Sequence, residues 1–514
     1  MAQTGADILA RVLARNGVDT CFANPGTTEM HLVSSFTHDL GIACHLCLFE
    51  GVATGAADGY ARMARKPAAT LLHLGPGLAN GIANLHNARK AASPIINIVG
   101  EHAVDHIAHD APLTADIEGL ARPVSKSVTT LRDTGGIDAA VTEMLAEIRT
   151  GPTGVGTLIV PNDIAWSAAQ PSNLPPASPP MPTPPDAAAV AAAAKALQEP
   201  GALLLLGSPH ITRRAIELGH AIAAKTGATL RAEAATARTS RGGGLPELAR
   251  VPFQIDAALD ALADTRHAIL AGARAPVAFF AYPERPSALL PEGCAVTRLS
   301  PPEGDLEAAL AALADHLDAK PVAASAPAMP PLPRGAITPE ALGAAVANAL
   351  PEGAIVADES VTNGPHLQPA CAASPAHDWL NNRGGSIGYS MPVAVGAAAA
   401  CPDRPVLAVV GDGSASYTPQ ALWTMARAGM NVTVVILSNR RYRILATEMS
   451  RIGAGEPDEH SDPLMSLDNP PIEWVAQART YGVPGVSVSH AQDLHDELAR
   501  AFTEPGPHLI EARM

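Results

Sequence analysis

Short apolar runs alternate along the whole chain with longer, alanine-rich amphipathic segments. Runs such as ATLL (69–72), VLAVVG (406–411) and VTVVILS (432–438) have the length and composition of buried strands. Segments such as TGADILARVLARNG (4–17) repeat apolar residues with helical spacing. Because strands that are apolar on both faces need helices on both sides, this alternation predicts an α/β fold with doubly wound parallel sheets.

Two proline-rich segments divide the chain. They read PSNLPPASPPMPTPP (171–185) and KPVAASAPAMPPLPRG (320–335), and proline excludes both a helix interior and a central strand. We predict extended linkers there. Three domains remain, at 1–170, 186–319 and 336–514, and each carries its own strand–helix alternation.

Composition excludes several functional classes. No run of 18 apolar residues is present, so we expect no membrane span. The N-terminus lacks the basic and apolar regions of a signal peptide, and six scattered cysteines suit a reducing compartment, so we expect a cytoplasmic protein. A net charge of −15 argues against nucleic acid as a partner.

Two strand ends of the last domain carry a candidate phosphate and metal site. The segment Gly411-Asp412-Gly413-Ser414 follows one apolar run, and Asn439 follows the next. Ligands bind at the carboxyl ends of parallel strands, and glycines there let the backbone approach a phosphate. Asp412 and Asn439 offer hard oxygen ligands suited to Mg²⁺. The alternative is a plain turn followed by a strand cap.

A second candidate site lies in the first domain. In LCLFEGVATGAADGYARM (46–63), Glu50 ends an apolar run and begins a helix. An isolated glutamate there would serve as a first-turn residue that favours the helix dipole. The alternative is a carboxylate buried at a strand end, where desolvation disfavours its charged form.

Several segments resemble the thiamine-diphosphate enzyme superfamily. They are NPGTTE (24–29), FEGVATGAADGYAR (49–62), LHLGPGLANGIANLHNA (72–88), GGSIGYSMPVAVGAA (384–398) and the GDGS region with its asparagine. They are most similar to benzoylformate decarboxylase and to acetolactate synthase large-subunit homologues. The resemblance implies a pyrimidine-binding first domain, a Rossmann-like central domain and a diphosphate-binding last domain. It also implies active sites shared between subunits of a dimer or tetramer.

The resemblance assigns roles to single residues. Mg²⁺ would be bound by Asp412, Asn439 and the backbone carbonyl of Arg441, with thiamine diphosphate beside them. Glu50 would exchange a proton with the aminopyrimidine ring of the cofactor. The remaining cofactor contacts would come from Pro25, Gly26, Asn80, Gly385, Ile387, Gly411, Gly413 and Ser414, with Ile387 wedged between the two cofactor rings.

Thr27 and His73 match the active-site serine and a catalytic histidine of benzoylformate decarboxylase. A proton-transfer or substrate-binding role for His73 follows from that match. The implied reaction is decarboxylation or carboligation of a small 2-oxo acid. A C–C lyase acting on a 2-hydroxyacyl substrate is an alternative with the same cofactor, and a non-catalytic homologue is another.

The sequence also departs from these families. Arg440 replaces the usual glycine after the metal-binding asparagine, and Pro283 stands where benzoylformate decarboxylase has its second histidine. Pro112-Leu113 replaces the Phe-Gln pair of true acetolactate synthases, and this difference argues against acetolactate synthesis. Ile444 and Leu445 fall where the family sets substrate size, and they indicate an apolar acyl group.

Four further motifs suggest other functions. G-P-G-L-A-N-G (75–81), with Glu101 beyond it, approaches a dinucleotide fingerprint and is the basis of a rival NAD(P)-dependent oxidoreductase. His102 and His106 have zinc-binding spacing, but no third ligand is evident. RTSRGGGLP (238–246) could bind phosphate or form a flexible loop. Cys44 and Cys47 should face opposite sides of a strand, which excludes a shared metal.

Overall fold

Three β-sheets organise the chain. A computed structural model describes residues 3–36, 40–170, 174–178, 184–322 and 327–514. Most central strands are buried along their whole length. The predicted α/β class with parallel, doubly wound sheets is confirmed, whereas the division at the residue numbers given above stays a prediction.

The first sheet has six strands, all parallel, in the order β2-β1-β3-β4-β6-β5. Its strands are β1 Thr20–Asn24, β2 Ala43–Leu46, β3 Ala68–Leu72, β4 Ile95–Glu101, β5 Ser127–Thr130 and β6 Val155–Pro161. The helices of this part are α1 Gly5–Arg15, α2 Met30–Phe36, α3 Glu50–Ala64, α4 Leu74–Ala91, α5 Val104–Ile107, α6 Ile117–Ala121, α7 Ile137–Arg149 and α8 Asn162–Trp166.

The middle part contains a four-stranded parallel sheet in the order β12-β11-β7-β9. The strands of this part of the chain are β7 Ala202–Leu206, β8 His210–Ile211, β9 Thr229–Ala232, β10 Arg238–Arg241, β11 His267–Ala271 and β12 Ala295–Ser300. The helices are α9 Ala187–Ala196, α10 Arg213–Thr226, α11 Ile255–Leu262 and α12 Leu306–His316. The strands β8 and β10 do not join this sheet.

The last sheet has eight strands in the order β17-β18-β16-β15-β13-β14-β10-β8. Its remaining strands are β13 Ile355–Glu359, β14 His377–Asn381, β15 Val406–Gly411, β16 Val432–Ser438, β17 Gly485–Val488 and β18 His508–Arg513. The helices are α13 Pro339–Ala349, α14 Leu367–Ala370, α15 Ser390–Ala400, α16 Asp412–Ala415, α17 Ala421–Arg427, α18 Arg443–Arg451, α19 Trp474–Thr480 and α20 Ala491–Ala501. Only β10 and β14 pair antiparallel among the described strands.

The first and last sheets share one hydrophobic core. Helices α3 and α15 cross at close range because glycines face the partner backbone. A Cβ atom at Gly59 would lie 2.1 Å from the Val393 carbonyl, and one at Gly396 would lie 1.8 Å from the Ala56 carbonyl. Any larger side chain would push the helices apart. This contact places the carboxyl ends of the two sheets in a fixed relation.

The apolar pattern does not indicate five of the strands, β5, β8, β10, β14 and β17. In addition, the predicted apolar strand ending at Glu50 stops early. Strand β2 ends at Leu46, lies at the sheet edge and is largely exposed, so a short connection leads from it to Glu50. The described residues of both proline-rich segments contain no helix and no paired strand. An isolated bridge lies at Ala336, just after the second segment. In the described ranges, no helix combines the length and apolarity needed to cross a membrane.

Candidate active site

Glu50 begins helix α3, and its side chain is buried. The amide Nδ2 of Asn80 donates a 3.0 Å hydrogen bond to its Oε2 atom. A Cβ atom at Gly77 would lie 3.2 Å from Oε1, so this glycine lets α4 approach the carboxylate. The start of α3 favours a negative charge because its first N–H groups are free. The structure therefore brings two predicted site residues, Glu50 and Asn80, into direct contact.

His73 lies between β3 and α4, and its Nδ1 atom is 2.8 Å from Oε2 of Glu29. Glu29 has no exposed surface. Its carboxylate also accepts hydrogen bonds from the backbone N–H of Gly26 (2.7 Å) and from the hydroxyl of Thr28 (2.5 Å). Because a carboxylate only accepts, Nδ1 of neutral His73 carries the proton and Nε2 is free to accept another. Glu29 thus sets the tautomer of the histidine.

Glu29 ends the NPGTTE segment but is not among the predicted site residues. The signal is the spacing of a capping box, in which the third residue of a helical turn bonds back to the N–H of Gly26. Thr27, which matches the active-site serine of benzoylformate decarboxylase, is exposed. The hydroxyl 3.3 Å from His73 Nδ1 belongs to its neighbour Thr28. Gly26 is sterically required, since a Cβ atom there would lie 2.4 Å from the imidazole ring.

Asp412 and Asn439 follow two neighbouring parallel strands, β15 and β16. Asp412 is 3 % exposed. Its Oδ1 accepts the backbone N–H of Gly413 at 2.9 Å, and its Oδ2 accepts that of Arg440 at 2.5 Å. Burial raises the pKa of Asp412 despite these hydrogen bonds. A bound cation would supply the counter-charge that this buried acid lacks.

The two glycines that flank Asp412 have different surroundings. No atom lies within 4 Å of a Cβ placed at Gly411, whereas a Cβ at Gly413 would meet the ring of Tyr442 at 2.4 Å. Ser414 is buried. The Asn439 side-chain oxygen accepts the backbone N–H of Arg441 at 3.0 Å. A carboxylate, an amide oxygen and a nearby carbonyl form the hard oxygen set that Mg²⁺ prefers, so the residues fit that metal.

Two of the three arginines that follow Asn439 are engaged with acids. Arg440 Nη1 bonds Asp468 Oδ1 at 2.8 Å, and the guanidinium of Arg441 pairs with Asp462. Arg440 also has a left-handed backbone with φ +55°, which explains why its position suits glycine better. Arg443 begins α18 and is exposed.

The loop before α15 connects the two groups of residues. Gly385 has φ +81° and is exposed, and Ile387 is half-buried. The amide of Asn84 donates to the carbonyl of Gly51 at 2.9 Å and to that of Gly388 at 3.2 Å. One side chain thereby ties the start of the Glu50 helix to the end of this loop.

Comparison with known proteins identifies the architecture. The N-terminal TPP binding domain of thiamine pyrophosphate enzymes matches residues 3–120, and the C-terminal TPP binding domain matches residues 366–512. A Mycobacterium tuberculosis protein named "Putative acetolactate synthase large subunit IlvX" is 44% identical over 511 residues, 99% of this chain and 98% of that protein. The chain belongs to the thiamine pyrophosphate enzyme family.

More distant members support the same assignment. Benzoylformate decarboxylase of Pseudomonas aeruginosa is 27% identical over 533 residues, covering 97% of each chain. The solved structure of a thiamine diphosphate-dependent 4-hydroxybenzoylformate decarboxylase from Rhodococcus jostii superposes with a TM-score of 0.83 at 22% identity, covering 100% of this chain and 99% of that one. The resemblance seen in the sequence is confirmed, and thiamine diphosphate is the cofactor of this family.

The predicted site residues all lie inside the two matched thiamine pyrophosphate domains. Within one chain, Glu50 and His73 belong to the first of these domains and Asp412 and Asn439 to the second. Among the described residues, no hydrogen bond or ion pair joins the side chains of Glu50 or His73 to Asp412 or Asn439. Each pair has its own hydrogen-bond partners.

Two of the rival motifs lack the geometry of the sites that they resemble. The segment 75–81 lies inside α4, which begins at Leu74, whereas a dinucleotide fingerprint needs its first glycine in the turn after the strand. The rings of His102 and His106 are 5.2 Å apart. In the described part of the chain, no three His, Cys, Asp or Glu side chains are placed to hold a metal.

Proposed function

We propose that this thiamine pyrophosphate enzyme catalyses Mg²⁺-dependent decarboxylation of a 2-oxo acid, with or without ligation of the product to a second carbonyl compound. The observation that carries the proposal is the buried carboxylate of Asp412 beside the strand end that leads to Asn439. A buried charge without a counter-charge is unfavourable, and a diphosphate-bound Mg²⁺ would supply the positive charge that stabilises this carboxylate.

The chain's own residues would divide the work. Asp412, Asn439 and the carbonyl of Arg441 would hold the metal, and the open face at Gly411 would leave room for the diphosphate. When bound, thiamine diphosphate supplies a carbon nucleophile and an electron sink for decarboxylation. Glu50, oriented by Asn80, would exchange a proton with its aminopyrimidine.

His73 would act on the substrate side. Its Nδ1 is held by Glu29, so Nε2 would take or give a proton at the reacting carbonyl. Ile387 and Gly385 would shape and orient the cofactor from the loop before α15. The alternative reaction, C–C cleavage of a 2-hydroxyacyl compound, would use the same residues on a different substrate.

The test compares two variants, one expected to lose cofactor affinity and the other expected to lose turnover. We expect Asp412→Asn to weaken binding of thiamine diphosphate with Mg²⁺ roughly tenfold or more, because a charge-assisted ligand is lost. We expect Glu50→Gln to leave that binding intact and to lower turnover by about a hundredfold or more. Glu118→Gln, at a half-exposed ion pair, is the control.

Isothermal titration and a 2-oxo acid turnover screen with product analysis provide both readouts. Near-normal turnover in Glu50→Gln, or unchanged cofactor affinity in Asp412→Asn, would refute the proposal. Stabilisation of the wild-type chain by NADH but not by thiamine diphosphate would favour the oxidoreductase instead.

We further propose that two subunits share each site in a dimer or a dimer of dimers. The lack of any hydrogen bond or ion pair between Glu50 and Asp412 among the described residues of one chain supports this arrangement. Mixing Glu50→Gln with Asp412→Asn tests it, because a mixed dimer would regain one site with intact Glu50 and Asp412 from different chains. If each site were built within one chain, the mixture would show no more turnover than the two variants measured separately.

A further inference from the structure

Two buried asparagines of helix α4 contact the loop before α15. Asn84 is 3% exposed, and Asn87 has no exposed surface. They are three residues apart in α4, so their side chains leave the same face of the helix. Both side chains donate hydrogen bonds to backbone carbonyls within residues 384–388. This part of the loop contains the predicted cofactor contacts Gly385 and Ile387.

Asn87 binds both backbone groups of Ser386. Its Oδ1 accepts the N–H of Ser386 at 3.1 Å, and its Nδ2 donates to the carbonyl of the same residue at 2.9 Å. Nδ2 also donates to Oδ1 of Asn84 at 2.9 Å. The amide oxygen and both N–H groups of Asn87 are therefore used, and a flip of the amide would lose all three hydrogen bonds.

Asn84 extends the network to the far end of the loop. Its Nδ2 donates to the carbonyl of Gly388 at 3.2 Å and to that of Gly51 at 2.9 Å. Since Asn84 also accepts from Asn87, one continuous set of hydrogen bonds joins the middle and the end of the loop to the start of α3.

The start of the loop also lies close to α4. A Cβ atom at Gly384 would lie 2.3 Å from Oδ1 of Asn87, so glycine allows the backbone to approach the amide. Nε2 of His86 lies 3.1 Å from the carbonyl of Gly384. Helix α4 thus contacts the loop at Gly384, Ser386 and Gly388.

The loop itself is rich in residues that do not favour one conformation. Three of residues 384–388 are glycine, and Gly385 and Gly388 have left-handed backbones with φ +81° and +84°. Gly385 is exposed and Ile387 is half-buried. Because glycine loses more conformational freedom than other residues when it is ordered, this loop needs partners outside itself to keep one shape.

We infer that Asn87 is a positioning residue, which holds the loop before α15 in the shape that presents Gly385 and Ile387 before the cofactor binds. This inference rests on the proposed function, in which those two residues contact thiamine diphosphate. Ordering a flexible loop during binding lowers affinity, and a loop that is already held avoids this loss. Asn87 has no exposed surface, so it acts through the loop and not by touching the cofactor.

Hydrogen exchange of the cofactor-free protein tests this role directly. We expect Asn87→Ala to speed exchange of the backbone N–H groups of residues 384–388 about tenfold or more, because Ser386 loses both partners. Asn87→Asp keeps the size of the side chain and its acceptor but cannot donate, so it should have the same effect to a smaller degree. It is also the second variant if alanine prevents folding.

Calorimetry with thiamine diphosphate and Mg²⁺ gives a second readout. We expect Asn87→Ala to lower the affinity about tenfold, which corresponds to the loss of ordinary hydrogen bonds. At saturating cofactor, kcat should stay within a few fold of wild type, because the bound cofactor then orders the loop. This is the reverse of the result expected for Glu50→Gln.

Asn97→Ala is the matched control. Asn97 is another asparagine with no exposed surface, and it bonds Thr70 at 2.6 Å and Thr157 at 3.0 Å within the first sheet. This variant should lose stability, as Asn87→Ala does, but it should change neither exchange in residues 384–388 nor cofactor affinity.

The outcomes separate two kinds of failure. If the wild-type protein does not bind thiamine diphosphate, the proposed function fails, and this inference fails with it. If the wild-type protein binds the cofactor but the Asn87 variants keep its affinity or its exchange in residues 384–388, this inference alone fails. An equal loss of affinity in Asn97→Ala would also overturn it, because the effect would then follow from lower stability.

Discussion

The imidazole Nδ1 of His73 lies 2.8 Å from Oε2 of Glu29, a carboxylate with no exposed surface. The two residues are distant in sequence and meet because β1 and β3 are parallel neighbours. The carboxylate leaves Nε2 as the available base. A buried acid therefore decides which nitrogen of the histidine can do chemistry.

Glu29→Gln should impair turnover without unfolding the protein. Glutamine keeps the size of the side chain, but its amide can present an N–H group to Nδ1 and favour the wrong tautomer. We expect turnover to fall by about a hundredfold, while cofactor affinity stays close to wild type. Nitrogen NMR of labelled histidine should show the proton leaving Nδ1 of His73. Unchanged histidine signals together with normal turnover would contradict the assignment.

Gly413→Ala should destabilise the chain, whereas Gly411→Ala should not. The first substitution drives a Cβ into the ring of Tyr442 at 2.4 Å, and overpacking of this kind costs about 1–3 kcal/mol. The second meets no atom within 4 Å and keeps an ordinary φ of −67°, so its effect should stay within about 0.5 kcal/mol. Urea denaturation without cofactor measures both. Equal stability of the two variants would show that Tyr442 moves aside freely.

Arg62→Met should be strongly destabilising, because Arg62 joins all three parts of the chain. Its guanidinium pairs with Asp58 and donates to the Tyr389 hydroxyl (2.8 Å) and to the carbonyls of Asn381 (2.8 Å) and Ala237 (3.1 Å). Removing it leaves a buried carboxylate unpaired, a change that typically costs about 3–5 kcal/mol.

The matched control is Arg122→Met. That arginine pairs with Glu118 at the surface, and such pairs contribute at most about 1 kcal/mol. Denaturation of both variants compares the two directly. A loss of similar size in both would show that the buried network contributes little.

Glu359→Gln should remove a pH dependence of stability. Burial raises the pKa of Glu359 to about 7, against hydrogen bonds from the backbone of Ser390 and Tyr389. Since this pKa lies above the unfolded value of 4.5, the folded state binds the extra proton between these pH values. The contribution of Glu359 to stability is therefore fully present below pH 4.5 and is lost as the pH rises to 7.

The resulting change in the free energy of unfolding is about 3 kcal/mol between pH 4.5 and 7. Glutamine can still accept from both N–H groups, so the variant should fold. Between pH 4.5 and 8, the free energy of unfolding of the wild-type protein should fall relative to that of Glu359→Gln as the pH rises. Parallel curves for the two proteins would contradict the prediction.

The sequence predicts well those elements that depend on apolar burial alone. Runs such as those of β15 and β16 are strands because only a sheet covered on both faces buries every residue of a short apolar segment. Strand β14, by contrast, carries polar residues that the pattern does not reveal. Its Asp378 is buried because Arg238 and Arg404 pair with it, and neither arginine is near it in sequence.

The same distinction applies to the candidate site. Local motifs predict Asp412, Asn439 and Glu50, because each stands at the end of a recognisable segment whose chemistry is encoded in a few neighbouring residues. Glu29 becomes visible as the partner of His73 only when two strands lie side by side.

Sequence by itself thus determined the α/β class and the cofactor family. It also indicated the candidate site residues that stand at the ends of apolar segments. Tertiary structure decided the tautomer of His73, the burial of Asp412 and the pairing of Asp378 with Arg238 and Arg404. The physical reason is that strand formation depends on neighbours along the chain, whereas desolvation and hydrogen-bond partners depend on side chains brought from far apart.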